Sequence, residues 1–130
     1  MEDFVTYEIA VKLKEKGFTC EYPFAMYTEY EQFCPLYSSD RYYFGIDDFD
    51  KHDYIAPTIS QVFKWLREVK GIHIDIAIWK SQYIAMIVFI DKPDQNIEHY
   101  NETIWEDERL FDTYEKAAIA GIEYVLNNLI

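Results

Sequence analysis

The chain has 130 residues, half of them hydrophobic and 28% charged, which is the composition of one folded domain over residues 1–130 and excludes a disordered acidic tail. Twelve Lys and Arg against 24 Asp and Glu give a formal charge of −12, so the clustered cationic surface needed for direct binding to duplex nucleic acid is excluded as well. Aromatic residues reach 18%, with 12 Tyr, 9 Phe and 3 Trp, while four glycines leave no phosphate-cradling loop and no dinucleotide fingerprint.

Val5, Ile9 and Leu13 fall four residues apart among Lys12, Lys14, Glu15 and Lys16, which predicts an amphipathic helix from about Asp3 to Lys16. Gly17 supplies the left-handed position after it, and Phe18 the hydrophobic contact that folds back on Leu13. From Cys20 to Ile46 the chain is rich in Tyr and Phe, with turn residues at Pro23, Pro35, Ser38, Ser39, Asp40 and Gly45, which predicts two or three short strands. A polar loop over Asp47 to Asp53 follows. Pro57 and the stripe Thr58, Ile59, Val62, Phe63, Leu66 and Val69 then predict a second helix that ends before Gly71.

Ile72, Ile74, Ile76 and Ile78 alternate with His73, Asp75, Ala77 and Trp79, the period of a strand with one face buried. Its hairpin partner is Tyr83 to Ile90 across Trp79-Lys80-Ser81-Gln82, and the nearly continuous apolar run of that partner predicts a central strand covered on both faces. A short strand is expected around Tyr100 to Trp105. Asp112 as N-cap with Glu115 three residues on starts a third helix. Its stripe of Ala118, Ile119, Ile122, Val125, Leu126 and Leu129 lies within about 120° on a helical projection, and Ala117, Ala120 and Gly121 form a second, small-residue face open to a close neighbour. The expected class is α+β: an antiparallel sheet of about four to six strands against three helices, in the order αββ(β)-αββ-(β)α.

Candidate chemistry is sparse. The start MEDFVTYEIA has no basic segment leading into an apolar run, and the longest apolar stretch is too short to span a bilayer, so a cytoplasmic location without membrane contact is expected. Cys20 and Cys34 have no metal-ligand or redox spacing and are expected as free thiols, a cross-strand disulfide being the alternative. Asp48, Asp50 and His52 open like a calcium loop, but Asp53 stands where that loop needs Gly and Ile59 where it needs Glu. His73 beside Asp75 on one strand face has no activated nucleophile to serve. No catalytic residue, cofactor site or metal site is therefore assigned.

The charge is local. Residues 29–53 carry −5 and residues 91–115 carry −7, which is the whole of the net −12. We read Asp47, Asp48, Asp50, Asp53, Glu102, Glu106, Asp107 and Glu108 as one acidic partner surface. The expected partner is a protein, since stacking aromatics without a basic groove fit a protein interface better than a nucleic acid. Self-association through the tyrosines Tyr22, Tyr27, Tyr30, Tyr37, Tyr42 and Tyr43 is a second use of such a surface.

Two stretches carry a resemblance. Ala56-Pro57-Thr58-Ile59-Ser60-Gln61-Val62-Phe63-Lys64-Trp65-Leu66-Arg67-Glu68 running into Gly71-Ile72-His73-Ile74, and the run Asp112-Thr-Tyr-Glu-Lys-Ala-Ala, resemble small proteins encoded by phages, prophages and other mobile elements of gut Bacteroidetes. The resemblance implies a phage-type accessory protein in a bacterial host or phage-infected cell. It assigns no functional residue. The leading expectation is a non-enzymatic acidic interaction domain; the alternatives are a nucleic-acid mimic that occupies a host DNA-binding protein and a small divalent-metal-dependent hydrolase using the acidic-loop carboxylates.

Overall fold

The computed structural model describes residues 3–20, 23–36, 53–91 and 110–130. They belong to two compact units, Met1–Val62 and Phe63–Ile130. The class is α+β as predicted, and among the described residues there are three helices and two antiparallel sheets, one of three strands and one of two. The sequence reading placed all strands in one sheet; the described strands divide between these two. The strand expected at Tyr100 to Trp105 lies outside the described residues.

In the first unit the chain starts extended. The Val5 N–H donates to the Pro57 carbonyl at 3.0 Å, the Ile59 N–H donates to the Asp3 carbonyl at 3.0 Å, and Phe4 bridges Thr58. Helix α1, Tyr7–Glu15, therefore begins after the predicted Asp3, once the Thr6 hydroxyl can accept the Ile9 N–H as N-cap. Its end is as predicted: Gly17 takes φ 83°, and the Phe18 N–H reaches the Leu13 carbonyl at 2.9 Å. Val5, Ile9, Ala10, Leu13, Phe18, Ala25, Ala56, Ile59 and Val62, with Pro23 and Pro57, are buried apolar side chains of this unit.

Strands β1 (Ala25–Tyr27), β2 (Phe33–Pro35) and β3 (Tyr54–Ile55) form the three-stranded sheet in the order β2-β1-β3. The β1–β2 turn is built on Thr28, whose hydroxyl accepts the N–H groups of Tyr30 and Gln32. Glu31 occupies the left-handed region at φ 66°, a position that ordinarily favours glycine and costs other residues about 1–2 kcal/mol. Cys20 and Cys34 are not joined in a disulfide, and the Gln61 side-chain amide donates to Cys20 Sγ at 3.3 Å.

Helix α2, Ile59–Trp65, opens with a reciprocal cap in which the Thr58 hydroxyl accepts the Gln61 N–H and the Gln61 carboxamide oxygen accepts the Thr58 N–H. Leu66–Lys70 continues it as a π-helical turn, closed by the Gly71 N–H donating to the Leu66 carbonyl with Gly71 at φ 67°. Residues five apart come over one another in such a turn, and the Lys70 ammonium lies 5.5 Å from the centre of the Trp65 ring.

In the second unit β4 (Ile72–Trp79) and β5 (Gln82–Phe89) pair across the predicted turn, from Ile72 opposite Phe89 to Trp79 opposite Gln82. The two-residue turn puts Lys80 at φ 50° and Ser81 at φ 65°, both in the left-handed region, as the tight turn matching strand twist demands. Tyr83 also exchanges two backbone hydrogen bonds with Phe111, so β5 is engaged on both edges at that point. Helix α3, Tyr114–Asn128, is capped by Thr113, whose hydroxyl accepts the Lys116 N–H; the predicted cap, Asp112, instead pairs with the Lys116 ammonium at 2.9 Å.

α3 packs on β4 and β5 through Ala117, Ala118, Gly121, Ile122, Val125 and Leu126, all buried. Ala117 and Gly121, read as part of a separate small face, belong to the docking face, where Gly121 permits the close approach expected of it: a Cβ there would stand 3.1 Å from both Ala85 Cβ and Ile74 Cγ2, while Ala120 is half-buried. Gly121→Val should destabilise the chain by about 1–3 kcal/mol in urea unfolding, because its branches meet a packed sheet. Replacing Lys80-Ser81 by Asn-Gly should raise stability by about 1–2 kcal/mol in the same measurement, because both positions already hold the backbone conformation those residues favour.

Candidate functional site

Of the eight acidic residues read as a partner surface, Asp53 alone is placed; Asp47, Asp48, Asp50, Glu102, Glu106, Asp107 and Glu108 lie outside the described residues. Asp53 is half-buried just before β3, and what it contributes is its backbone carbonyl, which accepts the Lys14 ammonium at 3.0 Å. His73 and Asp75 stand opposite Val88 and Met86 across the hairpin, so their cross-strand partners are apolar. Among the described residues no group of three or more His, Cys, Asp or Glu is placed to hold a metal ion. No described helix is long and apolar enough to cross a membrane.

The structure does bring together a set of side chains that sequence reasoning left scattered. Tyr27 is directly opposite Phe33 on one side and Tyr54 on the other, so three aromatic rings from three strands share one face of the sheet. Phe4 and Tyr7 lie against this row from the amino-terminal segment and the start of α1. Ring centres are separated by 5.1 Å for Phe4 and Phe33, 5.5 Å for Phe33 and Tyr27, 5.7 Å for Tyr27 and Tyr7, and 5.6 Å for Tyr7 and Tyr54. Interplanar angles run from 64° to 89°, the edge-to-face arrangement that the ring quadrupole favours.

Two polar contacts fix the row. The Tyr27 hydroxyl donates to the Val5 carbonyl at 2.6 Å, tying the sheet to the extended start of the chain. Lys14, two helical turns beyond Tyr7, places its ammonium 4.9 Å from the centre of the Tyr54 ring while donating to Asp53. Glu8 and Glu31 are both exposed and both act on Tyr7. Partial burial first, then Tyr54, Glu31 and Glu8, hold the Tyr7 hydroxyl above the ordinary tyrosine range, and burial followed by Glu8 does the same for Tyr27.

Of the tyrosines expected to crowd the first sheet, Tyr27 is the one in the row among the described residues. Tyr30 stands exposed at the β1–β2 turn, and Tyr22, Tyr37, Tyr42 and Tyr43 lie outside the described residues. Tyr7, Tyr54, Phe4 and Phe33 carry no local sequence signal for this role, since nothing but strand register and the late start of α1 brings them together. No family model, no curated protein and no solved structure matches the chain.

Tyr27→Phe should destabilise the chain by about 0.5–1.5 kcal/mol, because the Val5 carbonyl loses its donor. Since folding raises the Tyr7 and Tyr27 pKa values, their contribution is present below about pH 10 and is lost as pH rises through the folded values. Urea midpoints at about pH 8 and about pH 11 should therefore differ less in a Tyr7→Phe, Tyr27→Phe double variant than in the parent.

Proposed function

We propose that the chain is a non-enzymatic interaction domain of phage or prophage accessory type, working in the cytoplasm of a bacterial host and meeting a host protein through its acidic stretches. One observation carries this reading. The whole net charge of −12 resides in residues 29–53 and 91–115, while the helix and hairpin over residues 54–90 are slightly positive. A uniform solubilising charge would be spread over the surface; a concentrated one raises the local potential and steers a basic partner. The resemblance of residues 56–74 and 112–118 to phage and prophage proteins of gut Bacteroidetes supports the biological setting.

The charge also supports a second reading, a mimic of nucleic acid that occupies a DNA-binding protein. Retention of bacterial lysate proteins on the immobilised chain, compared with a variant carrying Asp47→Lys, Asp48→Lys, Glu106→Lys and Asp107→Lys, tests the first reading. The parent should retain a defined partner, and the variant should lose it several-fold; equal retention by both overturns the proposal. Elution of that partner by duplex DNA favours the mimic, and indifference to DNA favours an ordinary protein interface.

A further inference from the structure

We propose that the Tyr27 and Phe33 end of the aromatic row is a receptor for lysine or arginine side chains on an extended segment of the partner protein. This rests on the interaction-domain reading and gives it a location and a chemistry.

Three observations converge within the first unit. The row already binds a cation of its own at the opposite end, where the Lys14 ammonium lies 4.9 Å from the Tyr54 ring centre and donates to the Asp53 carbonyl. An alkylammonium over a tyrosine ring is a contact that other exposed rings of this unit can offer. At the other end the rings come to the surface: Phe33 is 39% exposed and Tyr30, at the turn beside it, is 83% exposed. Both rings therefore leave surface within reach of a cation from outside the chain.

The third observation is charge. Glu31, next to Tyr30 in the β1–β2 turn and two residues before Phe33, is exposed, as is Glu8, next to Tyr7 on α1. Aromatic faces flanked by carboxylates favour cations and repel phosphates, which argues for a basic peptide and against a nucleic-acid strand stacking on the same rings. The β1–β2 turn keeps an acid at φ 66°, so Glu31→Gly removes the charge while relieving the backbone, a variant whose loss of binding cannot be ascribed to unfolding.

The test titrates the full chain with an alternating glycine–lysine decapeptide at physiological salt, following the aromatic ring resonances by NMR. The resonances of Phe33, Tyr30 and Tyr27 should shift saturably, and the same peptide with acetylated lysines should leave them in place. Glu31→Gly and Tyr30→Ser should each weaken the peptide about two- to fivefold, the size of one cation–π contact at an exposed site. Unchanged affinity in both variants overturns the proposal. If Asp47→Asn, Asp48→Asn and Asp50→Asn together abolish binding while the row variants do not, the row is wrong and the interaction-domain reading survives. Absence of binding by the parent chain overturns the row, and loss of the lysate partner as well overturns both. Stronger shifts of the same rings with oligothymidylate, or concentration-dependent shifts without any peptide, replace the basic segment by nucleic acid or by a second copy and likewise overturn it.

Discussion

Backbone pairing between residues 3–5 and 57–59 governs the first unit. Asp3 and Val5 give their carbonyl and N–H to Ile59 and Pro57, so helix formation is postponed until Thr6 can cap it. That delay puts Tyr7 at the first position of α1, directly over the sheet, instead of one turn inside a longer helix. The Val5 carbonyl, freed from any helical role, accepts the Tyr27 hydroxyl. One short stretch of extended chain thus joins the start of α2, the sheet and the aromatic row. Without it Phe4 and Tyr7 would have no reason to lie on Phe33, Tyr27 and Tyr54.

Much of the fold was legible because it is written in residues with restricted backbones. Gly17 and Gly71 mark two helix ends, Pro57 marks a helix start, and four isoleucines at alternate positions mark β4. The reciprocal cap Thr58-x-x-Gln61 was readable too, though the sequence reading used Pro57 and left the cap aside. The start of α1 was not legible, because Val5 continues the stripe of Ile9 and Leu13, and only a segment more than fifty residues away claims its hydrogen bond. β3 has two residues, too few to show any period.

Charge alone does not assemble the aromatic row. Counting carboxylates singled out Asp53, yet the structure uses its carbonyl to hold Lys14 on Tyr54. Counting tyrosines between Cys20 and Ile46 singled out Tyr27 but not Tyr7 or Tyr54, which come from outside that segment. Register, a property of pairs of strands, is what assembles the row, and a single stretch of sequence does not contain it. The small residues of α3 show the same limit: Gly121 reads as a face open to a neighbour, and the neighbour is the chain's own Ala85 and Ile74.

The π-helical turn at Leu66–Lys70 has a consequence for how this chain can change in length. A turn of that kind holds one residue more than an α-helix spanning the same rise. Deleting a single residue there would give an ordinary helical turn and leave Ile72 and Ile74 entering β4 on their buried face, whereas a deletion inside β4 would reverse the facing of every residue on one side of it. The junction between α2 and β4 is therefore the point at which a gap can enter the sequence while the sheet keeps its phase.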